Sequence, residues 1–242
     1  MSHPIEQLPD EQQHYLIDMH VRARAAIEAT LEEHGLKPGL SLALAKTRLD
    51  FLGEQLAPVV AAMEQRGTPV NCKAGCSVCC TLMVEATPDE IFALVQYLTE
   101  TLSPEALEET KRRAVQNVAR QAGHSAAERH RLHLFCPVLD RETGACRGHP
   151  ARPTPCQGYF SLDRRQCEIE SIEGSAPIPQ PAAVPLMRDA VLAARVIVLE
   201  AFGLDQARVE LTQGLALALA DPDAEARWLA GCKVFADTKI PK

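Results

Sequence analysis

The chain is poor in aromatic residues, with six Phe, three Tyr and one Trp among 242 residues, 4% in all. Strands draw heavily on aromatic and β-branched side chains, so a β-rich fold has little to build on. An excess of basic charge is also missing. Twenty-five Lys and Arg stand against 32 Asp and Glu, for a net charge of −7. That balance lacks the electrostatic footprint a phosphate backbone requires and argues against nucleic acid as a partner. Nor is there a long uninterrupted apolar run. The most apolar stretch, residues 186–202, contains Arg188, Asp189, Arg195 and Glu200, too many charges for a membrane span. It reads as a buried helix, and no membrane partner is expected. The opening residues MSHPIEQLPDEQQHYL contain neither a cationic segment nor an apolar one. Nothing there marks the chain for secretion, and the cytoplasm is the expected location. A glycine-rich nucleotide loop and a separate nucleophile–base pair are both missing, which leaves open whether the protein is an enzyme.

What is present is Leu and Ala at helical spacing, which points to a mainly α fold. Asp10 is placed to cap a first helix with the stripe Leu16, Met19, Ala23, Ile27 and Leu31, stopped by Gly35. A second helix repeats Leu42, Ala45, Leu49, Leu52, Leu56, Val59 and Met63, with Pro58 expected to kink it. Its seam suits packing on the first helix, and a homodimer through the same seam is the second reading. Thr87-Pro88-Asp89-Glu90 has the order of an N-cap, a first-turn proline and a capping-box carboxylate. The helix it starts should bury Ile91, Leu94, Val95 and Leu98. Ser103-Pro104-Glu105 opens a more polar helix, expected to face solvent, that runs toward residue 122. Residues 137–183 are rich in Pro, Gly and Arg with little periodicity, so ordinary packing does not explain how they become ordered. Helices return from residue 186, break near Gly203-Leu204-Asp205, and end with a short one between Asp221-Pro222 and Gly231. The expected organisation is an N-terminal helical pair at 1–67, a cysteine-rich metal-binding region at 68–170 and C-terminal helices at 171–242, packed together as one helical domain with an irregular cysteine-rich segment.

The chain has nine cysteines. In a reducing compartment, clustering of this kind points to metal binding or catalysis rather than disulfides. Cys72, Cys76, Cys79 and Cys80 put four soft ligands within nine residues, the density of a metal-binding knuckle. Cys79 and Cys80 cannot bridge each other, because adjacent α-carbons lie about 3.8 Å apart, below the usual disulfide range. The vicinal pair can instead serve two metals, or divide between ligation and support. Cys136, Cys146, Cys156 and Cys167 fall in the irregular segment that lacks an ordering force. Joining them to the first cluster closes a loop of more than fifty residues. A structural zinc site, at about 10–16 kcal/mol, outweighs that closure. Eight thiolates can saturate two zinc ions, or four can hold one zinc or a four-iron cluster. Arg141, Arg147, Arg152, Arg164 and Arg165 either offset the thiolate charge or form a solvated basic loop. His130, His133 and Cys136, spaced by three, would share a helix face, and either histidine, or His149, could ligate or support the site. A thioredoxin-type role for Cys76-Ser-Val-Cys79 would need a βαβ setting that the chain lacks. Cys232 is expected to be a small buried hydrophobe on the terminal helix.

Cys72-x3-Cys76-x2-Cys79-Cys80, then Cys136-Pro137-x-Leu139, Cys146 and Arg152-Pro153-x-x-Cys156, together resemble the YkgJ-like cysteine-cluster family, described as a zinc- or iron-chelating domain. The resemblance covers roughly residues 70–160 and leaves the helices on either side outside it. A tyrosine before the Arg-Pro pair and an arginine after the last cysteine belong to that pattern, whereas here His149 and Gln157 stand in those places. The resemblance implies zinc or iron held through Cys72, Cys76, Cys79, Cys80, Cys136, Cys146 and Cys156, and it implies no reaction. A related segment occurs in flagellin lysine N-methylases, which gives the alternative of an iron–sulfur enzyme carrying a 4Fe-4S cluster. A zinc-stabilised interaction module is the third reading.

Overall fold

In the first helix, α1 (Asp10–His34), the five side chains of the expected stripe, Leu16, Met19, Ala23, Ile27 and Leu31, are the buried ones. A single apolar stripe needs a single partner, and α1 lies mainly along α8 (Ala183–Ala201), with a second contact to α2 (Leu40–Gln65). Burying each of these larger side chains contributes about 1.5–3 kcal/mol. Pro9, not Asp10, occupies the N-cap of α1; Asp10 is the first helical residue, where its charge suits the positive end of the helix. Gly35 ends the helix at φ 70, with its N–H bonded to the Leu31 carbonyl. The computed structural model describes residues 8–174, 178–236 and 238. The outer ends of the N- and C-terminal stretches expected from the sequence therefore lie outside the described residues.

Helix α2 runs through Pro58 without interruption to Gln65. Its buried face is Leu40, Ser41, Leu44, Ala45, Arg48, Leu52 and Leu56, while Leu42, Leu49, Val59 and Met63 of the expected seam are only half-buried. The physical reason is that α2 serves several neighbours. It packs on α3 (Pro88–Thr101) and α8 as well as on α1, and three partners draw on a wider arc than one seam.

Thr87 caps α3 in a capping box with Glu90, and Pro88 stands in the first turn, as the sequence order requires. Ile91, Leu94 and Leu98 are buried, with Val95 at the margin. The scarce aromatics collect here, Phe92 meeting Trp228 at 5.7 Å and Phe235 at 5.4 Å between ring centroids. That cluster joins α3 to α10 (Ala224–Leu229). Helix α4 (Pro104–Gln121), capped by Ser103, is less solvent-facing than its polarity suggests. It lies against α9 (Leu211–Ala220) and buries Thr110 and Ala114.

Strand β1 (Glu85–Ala86) pairs antiparallel with β2 (Val209–Glu210), and Leu211 N donates to Val84 O at 2.8 Å. This short ladder ties the chain leaving the first cysteine cluster to the start of α9. The segment expected to be wholly irregular contains a four-residue helix, α6 (Thr154–Gln157), and a ten-residue one, α7 (Arg164–Glu173). Asp163 starts α7 by accepting bonds from the N–H groups of Arg165 and Gln166. Only Cys167 of α7 is buried. A helix with one buried residue leaves no periodic stripe in the sequence.

Candidate metal centre

A buried charge network fastens the cysteine segment to the helices. Asp89 and Glu90 at the start of α3 meet Arg48 of α2 and Arg195 of α8, and all four are 1–3% exposed. Arg195 Nη1 lies 2.7 Å from Asp89 Oδ2 and 3.2 Å from Glu90 Oε1, and Arg48 Nε lies 3.8 Å from Glu90 Oε1. Glu90 reaches further, accepting from Thr154 N at 2.7 Å and from the Thr154 hydroxyl. Arg48 donates to Gln157 Oε1 at 3.0 Å and to Arg152 O at 2.7 Å, while Gln157 Nε2 donates to Leu49 O at 2.8 Å. Both ends of α6, the helix that carries Cys156, are thus held by charges in the helical core. Burial opposes the Glu90 carboxylate, but Arg195, Arg48 and the Thr154 donors hold its pKa well below the usual carboxylate range. The residue after Cys156, Gln157, is thus hydrogen-bonded on both sides of its amide.

The first cluster sits in a loop that ends in a 3-10 turn, Val78–Thr81, which carries Cys79 and Cys80. Asn71 N donates to Ser161 O at 2.8 Å, and Ser161 N donates to Cys72 Sγ at 3.3 Å. The Ser161 hydroxyl donates to Asp163 O at 2.9 Å and lies near Cys167, lowering its pKa against the effect of burial. Thr81 and Ser171 bond through their hydroxyls at 2.7 Å, tying the 3-10 turn to α7. On the other side Cys136 N donates to Cys80 O at 2.7 Å. Leu139 then bridges Cys146 in a short antiparallel contact. Arg113 of α4 holds this loop, donating to Leu139 O at 2.7 Å and Cys136 O at 3.0 Å. Gly144 allows the two cysteine loops to meet: at φ +71, a Cβ there would stand 2.5 Å from Gly75 O.

Together these elements enclose a cavity of about 530 Å³. Cys72, Cys76, Cys79, Cys80, Cys136, Cys146 and Cys156 line it, seven of the eight cysteines assigned as ligands. Cys167 does not line it and is buried on α7. Cys232, expected to be buried, is exposed: it lies past the end of α10, where no element of the described residues covers it. The helix imagined for His130, His133 and Cys136 ends at Arg131, and His133 takes φ 46, so the three do not share a face. His130 Nε2 contacts Glu170 O at 2.7 Å, and His149 contacts Arg152; both rings line the cavity.

The thiols differ in their ease of ionisation. The adjacent Cys79 and Cys80 thiols act on each other, which lowers the Cys79 pKa and raises that of Cys80. Burial pushes Cys136 up to about 12 and raises Cys156, Cys146, Cys72 and Cys167. Arg152 is the arginine of the expected set that faces the thiols, close to Cys146, Cys156 and Cys79, although burial lowers its own pKa. Arg141 instead covers the Phe135 ring at 4.7 Å, Arg147 stands 3.9 Å from Asp140, and Arg164 pairs with Glu168 at 2.9 Å.

The donor set suits a soft or borderline cation such as zinc or iron. Among the described residues no three His, Cys, Asp or Glu converge on one point, so the thiols ring a space rather than a preformed ion site. Arg48, Arg113 and Ser161 were not singled out in the sequence, and Glu90 stood out only as a capping-box carboxylate. The available signal was Leu44-x3-Arg48-x3-Leu52, which puts an arginine on a buried helix face.

Residues 71–173 match the family model CxxCxxCC, described as "Putative zinc- or iron-chelating domain". No curated protein and no solved structure matches the chain. The match extends beyond Cys156 to take in Cys167 and all of α7. Over residues 71–173 the chain is thus similar to this zinc- or iron-chelating cysteine-cluster family, the one its cysteine spacing resembles.

Proposed function

We propose that the protein binds zinc or iron through its clustered thiolates, and that the metal orders residues 136–167 against the loop of residues 72–80. One observation carries the reading: seven cysteines, brought from a loop, a 3-10 turn, a hairpin and a short helix, line a single cavity. Cysteines scattered over 85 positions from 72 to 156 do not gather on one wall for packing reasons alone. The thiols are read as two groups that meet at the vicinal pair, with Cys79 acting on Cys146 and Cys156 as well as on Cys72 and Cys167. Cys80 is tied through backbone to Cys136, and Cys136 and Cys146 both act on its charge. Ser161 N donates to Cys72, and Cys76 and Cys79 act on the charge of both Cys72 and Cys167. The proposed ligand sets are Cys80, Cys136, Cys146 and Cys156 on one side and Cys72, Cys76, Cys79 and Cys167 on the other. Bound metal would supply folding free energy, or electron transfer if it is an iron–sulfur cluster.

A thiolate centre of this kind needs a reducing compartment, so a cytoplasmic location is part of the proposal. The cysteine region and the helices are read as one unit, because Arg48, Glu90 and Gln157 bond across the boundary between them. Anaerobic purification followed by an absorption spectrum and metal analysis tests the reading. Stoichiometric zinc in a colourless protein, or iron with a broad band near ~400 nm, is the expected result. Protein with neither metal, and unable to take up either anaerobically, would overturn it.

A further inference from the structure

The cavity is larger than its thiols require. A tetrahedral thiolate site keeps its sulfurs about 2.3 Å from the ion and encloses no free space. A cavity of about 530 Å³ falls instead within the range of small-molecule sites, roughly 300–1,000 Å³. It has room for more than a dozen waters at about 30 Å³ each.

The walls that carry no cysteine have a consistent chemistry. Leu82, Met83, Leu134 and Leu211 supply apolar surface. Two polar side chains on this surface each have a buried atom with no partner among the described residues. Gln121, at the end of α4 and 9% exposed, has its Oε1 buried with no hydrogen bond. Arg129 of α5 (Ala126–Arg131) is steered by a bond from its Nε to His124 O at 3.3 Å, yet its Nη1 is buried and unbonded. Among the described residues Arg129 pairs with no carboxylate: Glu210, the acid on the cavity wall, is engaged by Thr212 N at 3.1 Å and Gln213 N at 2.9 Å. Leaving such groups buried and unbonded is unfavourable, about 1–3 kcal/mol each and more for a charge, and a ligand that reaches them removes that cost.

We propose that the cavity binds a small organic anion with an apolar body, its acid group held by Arg129 and a neighbouring hydroxyl or amine held by the Gln121 carbonyl, beside the thiol wall. The guanidinium supplies a charged donor for the acid group, and the glutamine carbonyl accepts from a neighbouring hydroxyl or amine of the ligand. The leucine and methionine side chains take up the hydrocarbon. The thiol wall is left to the metal, so both occupy the cavity at once. This site gives the metal protein a substrate or an effector, and it deepens the metal-binding reading by resting on it for the role of the thiols.

The test uses the full-length, metal-loaded protein, with hexanoate and 1-hexanol as probes in titration calorimetry and metal content measured on the same sample. Hexanoate is expected to bind at least tenfold more tightly than 1-hexanol. Arg129→Gln should weaken hexanoate at least tenfold while metal content and 1-hexanol binding stay unchanged. Gln121→Leu serves as a second variant in case Arg129→Gln does not fold, and should weaken 2-hydroxyhexanoate more than hexanoate. No hexanoate binding to a metal-loaded sample, equal affinity for both probes, or hexanoate binding untouched by either variant would overturn the proposal and leave the metal reading intact. A sample that takes up no metal yet binds hexanoate through Arg129 would do the reverse.

Discussion

Replacing Glu90 with Ala should be among the most damaging single changes in the chain. Glu90 is 2% exposed and touches Thr154 N at 2.7 Å, Arg195 Nη1 at 3.2 Å and its own cap, Thr87 N, at 3.1 Å. Its removal leaves two buried arginines to share Asp89, strips Thr154 of its acceptor and breaks the capping box. Removing one partner from a buried ion pair costs about 3–5 kcal/mol, a large part of a typical total of about 5–15 kcal/mol. For a chain of this length each kcal/mol lowers Tm by about 2–4 °C, so the variant should melt on the order of 10 °C lower. Because Thr154 opens the helix that carries Cys156, metal affinity should fall as well. Glu90→Gln keeps an acceptor for Thr154 and loses the charge, so its cost should be smaller and pH-dependent. The carboxylate is held below its ordinary value near 4.5. A depressed carboxylate stabilises the fold above the unfolded pKa, and that stabilisation is lost as pH falls through the folded pKa. The gap in stability between wild type and Glu90→Gln should therefore be full above about pH 5 and close on acidification. Chemical denaturation across that range measures it. A Glu90→Ala cost under about 1 kcal/mol, or a gap that widens in acid, would refute the assignment of the network.

Gly144→Ala should separate the two cysteine loops, since its Cβ would stand 2.5 Å from Gly75 O at a φ of +71 that alanine disfavours. A cost of about 1–3 kcal/mol and faster loss of metal to a chelator are expected, read by denaturation and by release kinetics. Zinc uptake at pH 7 should release protons, because burial keeps Cys136, Cys146, Cys156, Cys72 and Cys167 protonated above the ordinary thiol pKa. Calorimetry in two buffers of different ionisation enthalpy should give different apparent heats, and affinity should fall as pH is lowered.

The parts of the fold legible in the sequence are those where one physical signal acts alone. Helix α1 buries one stripe against one main partner, and the stripe named from spacing is the buried set. The capping box at Thr87 depends on local residue order and needs no tertiary context. The cysteine cluster is legible because soft ligands at that density have few other uses. Where several elements compete for one helix, spacing misleads: the buried arc of α2 turned toward Leu44 and Arg48 because α3 and α8 pack on it too. In the sequence Glu90 reads only as a capping-box carboxylate, and the approach of Arg48 and Arg195 makes it and Asp89 the joint of the molecule. Helix α7 left no stripe, and Cys232 looked buried only while the chain beyond α10 was taken as helix. The cavity had no sequence signal, because Gln121, Arg129 and the thiols meet only in three dimensions.

The central claim is that the cavity thiols hold the metal, and metal content per chain in three single variants tests it most directly. With protein purified anaerobically alongside wild type, Cys76→Ser and Cys156→Ser, from opposite ligand sets, should each lose a large share of the metal, whereas exposed Cys232→Ser should match wild type. Equal metal in all three variants would contradict the account.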